Sequence, residues 1–199
     1  MKRILVVAAA TLLIMVVTAV AADDEHIRVH LAGYNETPLT INSAGSAEFH
    51  ARIHGDGSAI DYEMTYRDLS STVLQSHIHF GRPAITGGIV LFLCTNLGNA
   101  PNTVPVPQAC PQPPVGGSAT ITGTLTAADV IALTNGQAID SAAAGFAEVL
   151  KAIHARAAYV NIHTTNHPGG EIRATLGQRG FEHHKDHRHG HDGDHDHDH

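Results

Sequence analysis

Residues 46–67 read SAEFHARIHGDGSAIDYEMTYR, in which apolar and polar residues alternate on both sides of a glycine-rich turn. Successive side chains of a β-strand point to opposite faces of a sheet, so this alternation is the pattern of two half-buried strands. Gly55-Asp56-Gly57 supplies turn-forming residues between them. The segment therefore predicts an antiparallel β-hairpin in a protein built mainly from strands.

Short strand patterns recur along most of the chain. They predict further strands at residues 26–31, 74–80, 89–93, 118–125, 159–164 and 171–176, separated by turn-forming residues. Two short helices are also expected, one opened by an N-cap at Thr126 and running to about Thr134, and one over residues 142–154. This number of short strands argues for a mostly-β fold, an antiparallel β-sandwich.

The first 22 residues have the layout of a signal peptide. Lys2 and Arg3 precede an apolar run from Ile4 to Val17, and an alanine-rich exit ends at Ala22. The apolar run is shorter than the roughly 18 residues expected of a membrane-spanning helix. An uncleaved membrane anchor is the alternative. We expect an exported protein, periplasmic or extracellular, with no membrane span after cleavage.

The charge balance bears on possible partners. Without Lys2 and Arg3, 10 of the 12 Lys and Arg residues remain against 19 Asp and Glu residues, so nucleic acid is not an expected partner. The chain between the signal and residue 180 is long enough for one hydrophobic core of ordinary size. We therefore expect a single domain over residues 23–180, followed by a tail over residues 181–199.

Cys94 and Cys110 are the two cysteines of the chain, and they flank a segment rich in proline and glycine. In an exported protein the expectation is that they form a disulfide bond. Two thiolate ligands of a metal ion are the alternative interpretation.

His77-Ile78-His79 is a candidate metal-binding pair. Because side chains alternate along a strand, both imidazoles project from one face, roughly 6 to 7 Å apart at their roots. The same parity places Tyr159, Asn161 and His163 on one face of a later strand. His163 is the expected third ligand and His167 a possible fourth. The alternative is structural: the imidazoles hydrogen-bond loop carbonyls and carboxylates and hold two strands together.

The C-terminal 19 residues contain eight histidines and five aspartates and no secondary-structure period, so we expect a disordered tail. Imidazoles at this spacing can bind Cu, Zn or Ni ions, although an expression tag would also be histidine-rich. The candidate ligands in the tail are His183, His184, His187, His189, His191, His195, His197 and His199.

Four segments of the chain resemble the signature stretches of the CHRD domain, which is named for chordin. They are Leu31–Pro38 (LAGYNETP), Ser76–Gly81 (SHIHFG), Tyr159–Thr164 (YVNIHT) and Pro168–Arg173 (PGGEIR). The resemblance covers about residues 26–177, and Ala174 stands where the family commonly has a glycine. It implies a β-sandwich or barrel of immunoglobulin-like or superoxide-dismutase-like type, and it implies no reaction.

The sequence thus favours an exported protein that binds transition-metal ions chiefly through its histidine-rich tail, with His77, His79 and His163 as a further candidate site. It favours no organic cofactor and no enzymatic activity. A module that binds an extracellular or envelope protein is the second hypothesis. A redox enzyme is the third, since the His-x-His strand is similar to the copper-ligand strand of copper/zinc superoxide dismutases. Glu171 and Arg173, two residues apart on one strand face, are expected to form a structural ion pair.

Overall fold

Eight antiparallel strands form one sheet in the computed structural model, which describes residues 22–177. Their order across the sheet is β5-β4-β7-β8-β1-β2-β3-β6. The strands are β1 (Glu25–Ala32), β2 (Ser46–Ile53), β3 (Ala59–Arg67), β4 (Val73–Phe80), β5 (Gly88–Thr95), β6 (Ser118–Thr126), β7 (Ala158–Thr164) and β8 (Ile172–Thr175). The predicted mostly-β fold and the predicted strands are confirmed, with strand ends that differ by one or two residues.

The sheet curls until its two edge strands nearly meet, which gives a nearly closed barrel. The Tyr62 hydroxyl of β3 donates to the Leu93 carbonyl of β5 at 2.9 Å. The side-chain amide of Gln108 donates both to the Tyr62 hydroxyl at 2.8 Å and to the Thr122 carbonyl of β6 at 2.9 Å. Tyr62 of β3 and Gln108, from the segment between β5 and β6, therefore bridge the seam.

The hairpin over residues 46–67 forms as its alternation predicts. Strands β2 and β3 pair with Phe49 opposite Met64 and Ile53 opposite Ile60. Every second residue of each strand is buried, as the period of two requires. These buried side chains join one continuous hydrophobic core with apolar residues from the other strands.

The prediction of two short helices is wrong for the first of them. Residues 142–154 form the α-helix α1 (Ala142–His154), whereas the chain after Thr126 makes one 3-10 turn, Ala127–Asp129, closed by the predicted cap at Thr126. The backbone then becomes extended at Val130, and the Ile131 amide donates to the Val90 carbonyl at 2.9 Å. A tertiary hydrogen bond to β5 thus replaces the helix. A second 3-10 turn, Gly33–Asn35, follows β1.

The predicted disulfide bond between Cys94 and Cys110 is present, with the two Cα atoms 5.0 Å apart. Both thiols are consumed by the bond, so neither is a metal ligand. Asn96 holds the same loop from the side: its amide accepts from the Cys110 N–H at 3.0 Å and donates to the Val73 carbonyl at 2.9 Å.

The two ends of the chain lie outside the described residues. The predicted signal peptide, apart from Ala22, and the whole predicted histidine-rich tail fall outside residues 22–177. Within that range, no helix combines the length and apolar character needed to cross a membrane.

Candidate metal centre

Three histidines from two neighbouring strands meet in the structure. β4 pairs with β7 so that His77 lies opposite Asn161 and His79 opposite Tyr159, which places His163 diagonally across from His77. The ring centroid of His77 lies 5.3 Å from that of His79 and 5.0 Å from that of His163. One nitrogen from each residue lies within 4.8 Å of the others. The structure thus brings together the three histidines that the sequence grouped, and their role as metal ligands stays a prediction.

The trio is buried. The exposed fractions of His77, His79 and His163 are 0%, 6% and 7%. The Phe92 ring packs edge-on against His77 with centroids 4.6 Å apart, and Tyr159 stacks on His79 at 4.5 Å. Strands β4 and β7 lie inside the sheet, and both have buried residues on both faces. The face of β4 that carries His77 and His79 is therefore enclosed.

Backbone carbonyls set the tautomers of two of these rings. His79 Nδ1 lies 2.9 Å from the Gly87 carbonyl, and His163 Nδ1 lies 2.9 Å from the Pro168 carbonyl. A carbonyl only accepts, so each Nδ1 carries the proton and each Nε2 has a free lone pair. Metal-binding histidines are typically oriented in this way, with the distal nitrogen donating to a carbonyl or carboxylate.

The lone pairs at the centre of the trio have few protein partners. His163 Nε2 and both ring nitrogens of His77 are buried without a hydrogen bond. His79 Nε2 lies 3.1 Å from the side-chain oxygen of Asn161, whose amide would donate if its oxygen and nitrogen exchanged places. An unsatisfied buried polar group costs about 1–3 kcal/mol. The structural alternative explains the two Nδ1 bonds, and it leaves these other nitrogens unexplained.

Burial keeps the three imidazoles neutral. Removal from water, with smaller contributions from the neighbouring imidazoles, lowers the pKa of His77 to about 2. Burial also lowers the pKa of His79 to about 4 and lowers the pKa of His163. Neutral imidazole is the form that binds a metal ion, so the trio needs to lose no proton near neutral pH.

The spacing of the trio fits a single ion after a small adjustment. Nitrogens at about 2.0–2.1 Å from one ion are separated by about 3.3–3.5 Å. Since the nitrogens of the trio lie within 4.8 Å of one another, they need to approach by at most about 1.5 Å.

Arg173 and Tyr159 extend the site in a way that sequence analysis missed. The guanidinium carbon of Arg173 lies 3.3 Å from the centre of the Tyr159 ring, and His79 stacks on the same ring with the two planes at 4°. At these distances the two groups must occupy opposite faces of the ring. A positive charge therefore lies one aromatic ring away from His79.

The expected ion pair between Glu171 and Arg173 is absent from the described residues. Glu171 accepts hydrogen bonds from the hydroxyls of Ser43, Ser70 and Thr164. Arg173 donates instead to the Thr37 hydroxyl and to the carbonyls of Arg82 and Ile85. The two side chains do not form an ion pair with each other, because each one makes its hydrogen bonds to other residues, most of them distant in sequence.

His167 is not part of the trio. Its backbone amide closes a turn by donating to the Thr164 carbonyl at 3.1 Å, and the residue lies in the loop before β8. The structure thus brings together three of the four candidate ligands of the barrel. The tail histidines lie outside the described residues.

The four signature segments converge on this site. His77 and His79 belong to the second, His163 to the third, and Arg173 to the fourth, where its guanidinium reaches Thr37 of the first. A family model described as the CHRD domain matches residues 27–176. The chain belongs to the CHRD domain family.

CHRD domains are extracellular or secreted modules, and the disulfide bond of this one agrees with an oxidising compartment. The family match covers the barrel from Ile27 in β1 to the end of β8. No curated protein and no solved structure matches the chain.

Proposed function

We propose that this CHRD-domain protein is an exported protein that binds a transition-metal ion, one per chain, through His77, His79 and His163. The observation that carries the proposal is the set of buried ring nitrogens without a hydrogen bond, on His77 and His163. A metal ion bound by one nitrogen of each histidine would satisfy His163 Nε2 and one of the two His77 nitrogens at once. Cu, Zn and Ni all accept imidazole ligands.

The tail has a separate role in this proposal. Its eight histidines and five aspartates bind several ions weakly and raise the local metal concentration near the barrel. The signal-like first 22 residues and the disulfide bond support export, which would place the protein in the periplasm or outside the cell.

The site is suited to holding a metal rather than to turning over a substrate. The nitrogens that would bind the metal are buried from solvent, so a substrate such as superoxide has no open approach to an ion held there. Binding or buffering of metal, without catalysis, is therefore the proposed activity.

Metal titration of two full-length proteins would test the proposal. In the tail-Asn variant, all eight tail histidines are replaced by asparagine, so that only the barrel can bind tightly. We expect the unmodified chain to bind one ion tightly and several weakly, and the tail-Asn variant to bind one. Calorimetric titration with Cu(II), Zn(II) and Ni(II), and with Cu(I) under nitrogen, would give the stoichiometry.

Two further substitutions in the tail-Asn variant locate the bound ion. His79→Gln should abolish binding, whereas His167→Asn should retain it, because His167 is outside the trio. Circular dichroism and urea unfolding would verify that both remain folded. The proposal fails if the tail-Asn variant binds no metal more tightly than its His79→Gln derivative.

A further inference from the structure

The ligand set of the trio carries no negative charge. Among the described residues, no carboxylate or thiolate has a ligand atom close enough to join the three imidazoles. Neutral ligands share electron density with a metal ion and leave its net charge unchanged. A divalent ion bound here would remain a dication, and a monovalent ion would remain a monocation.

The surroundings of the trio add positive charge. Arg173 lies 3.3 Å from the centre of the Tyr159 ring, on the face opposite His79. Its hydrogen bonds go to one hydroxyl and two backbone carbonyls, and it forms no ion pair within 4.0 Å in residues 22–177. Burial raises the pKa of Glu36, an acid near it, to about 7, so that carboxyl is only partly charged at neutral pH. The Arg173 charge is thus only partly compensated.

Solvent does not reach the centre of the trio. Both nitrogens of His77 and Nε2 of His163 are enclosed, and Phe92 packs edge-on against the His77 ring. A zinc ion with three protein ligands normally keeps a water molecule or hydroxide in the fourth position. Because these nitrogens are enclosed, solvent does not provide a water molecule or a charge-compensating hydroxide as a fourth ligand.

These features penalise a dication. The free energy of moving an ion from water into a medium of low dielectric constant rises with the square of its charge, so a divalent ion is penalised about four times as much as a monovalent one. Three nitrogen ligands also leave Cu(II) short of its preferred tetragonal coordination. Monovalent copper carries the lower charge and needs no such fourth ligand.

We propose that the His77, His79 and His163 site is selective for Cu(I) over Cu(II) and Zn(II). This inference rests on the proposed metal-binding function. The cuprous ion is the metal that a neutral, enclosed, three-nitrogen site beside an arginine stabilises best. Copper bound in this site should have a raised reduction potential, since the site stabilises the reduced ion more than the oxidised one.

Competition titrations on the tail-Asn variant would test the selectivity. Cu(I) is supplied under nitrogen as its acetonitrile complex, which requires no reductant and leaves the disulfide bond intact. A chromophoric chelator of known Cu(I) affinity reports the dissociation constant. Separate titrations with Cu(II) and Zn(II) use competing chelators for those ions, and the potential of the bound copper is measured by redox titration.

We expect one Cu(I) per chain, bound at least about 10³-fold more tightly than Cu(II). That ratio corresponds to a potential about 180 mV above that of the free copper couple, at 59 mV per tenfold. Zn(II) in tenfold excess should not displace Cu(I). The His79→Gln derivative should lose the ion, and the His167→Asn derivative should keep it.

The two proposals fail in different ways. If the barrel site binds Zn(II) or Cu(II) as tightly as Cu(I), the selectivity is refuted and the metal-binding function stands. If no ion binds in a manner that depends on His79, the metal-binding function itself is refuted. The selectivity is read on the unsubstituted trio of the tail-Asn variant. The dependence on His79 is read against the His79→Gln derivative, whose fold is verified by circular dichroism and urea unfolding.

Discussion

Replacing His77 by leucine should change how the stability of the barrel depends on pH. Burial lowers the pKa of His77 from the ordinary 6.5 to about 2, so at pH 5 the unfolded chain binds a proton there and the folded chain does not. A group whose folded pKa is depressed contributes stability that is lost as the pH falls below the unfolded value. The window for His77 therefore extends downward from pH 6.5.

The magnitude follows from the width of that window. One pH unit corresponds to 1.36 kcal/mol, so the fall from pH 6.5 to 5 removes about 2 kcal/mol through His77. His79, with a pKa of about 4, has an effect of the same sign and similar size, and His163 acts in the same direction. Glu36 acts oppositely, because its raised pKa stabilises the folded protein as the pH falls from about 7 to 4.5.

Comparison of the unmodified chain with the His77→Leu variant isolates the contribution of His77 to the pH dependence of the unfolding free energy. His77→Leu changes the packing against Phe92 by an amount that does not depend on pH, and it removes one titrating group. Urea unfolding with a metal chelator present, at pH 8, 6.5 and 5, measures both proteins. Relative to the unmodified chain, the variant should gain about 2 kcal/mol between pH 8 and pH 5. His26→Asn, which removes an exposed histidine of β1, is the matched control.

Parallel curves for the unmodified chain and His77→Leu would refute the reasoning. They would mean that His77 binds protons equally in the folded and unfolded states. The enclosure of the trio, on which the metal-site argument depends, would then be absent in solution.

Three further predictions concern other parts of the chain. Glu36→Gln should stabilise the protein at pH 8 by up to about 3 kcal/mol more than at pH 5, because burial raises the pKa of the Glu36 carboxyl and so penalises its charged form at pH 8. Equal effects in urea unfolding at the two pH values would contradict this. Replacing Cys94 and Cys110 together by serine should lower the free energy of unfolding by about 3 kcal/mol, which is the value expected for a disulfide that closes a loop of about 15 residues. An unchanged unfolding midpoint would argue that Asn96 holds the loop without the disulfide. The intact mass of exported protein should lack residues 1–22, and a mature N-terminus at Met1 would indicate an anchored protein.

The strands were predictable because their signal is local. The alternation of residues 46–67 depends only on the geometry of a strand with one buried face, and the structure reproduces it residue by residue. The helix predicted after Thr126 failed because the preference there is weak. The cap forms as expected, and the chain then bonds to Val90, which is about 40 residues earlier.

The candidate site divides in the same way. Strand parity places His77 with His79, and Asn161 with His163, without reference to any contact between β4 and β7. Parity does not state which face of a strand is covered. The enclosure of the trio depends on Phe92 from β5 and on the position of β4 and β7 inside the sheet.

By itself the sequence determined the strand pattern, the disulfide pairing and which side chains share a strand face with His79 and with His163, since each depends on short-range geometry or on the chemistry of single residues. Only the tertiary structure decided that the imidazoles are enclosed, that carbonyls of Gly87 and Pro168 orient two of them, and that Arg173 lies behind Tyr159. These contacts join residues on different strands and loops. Their geometry is set by the closure of the whole barrel, because no local pattern encodes which distant side chain covers a given face.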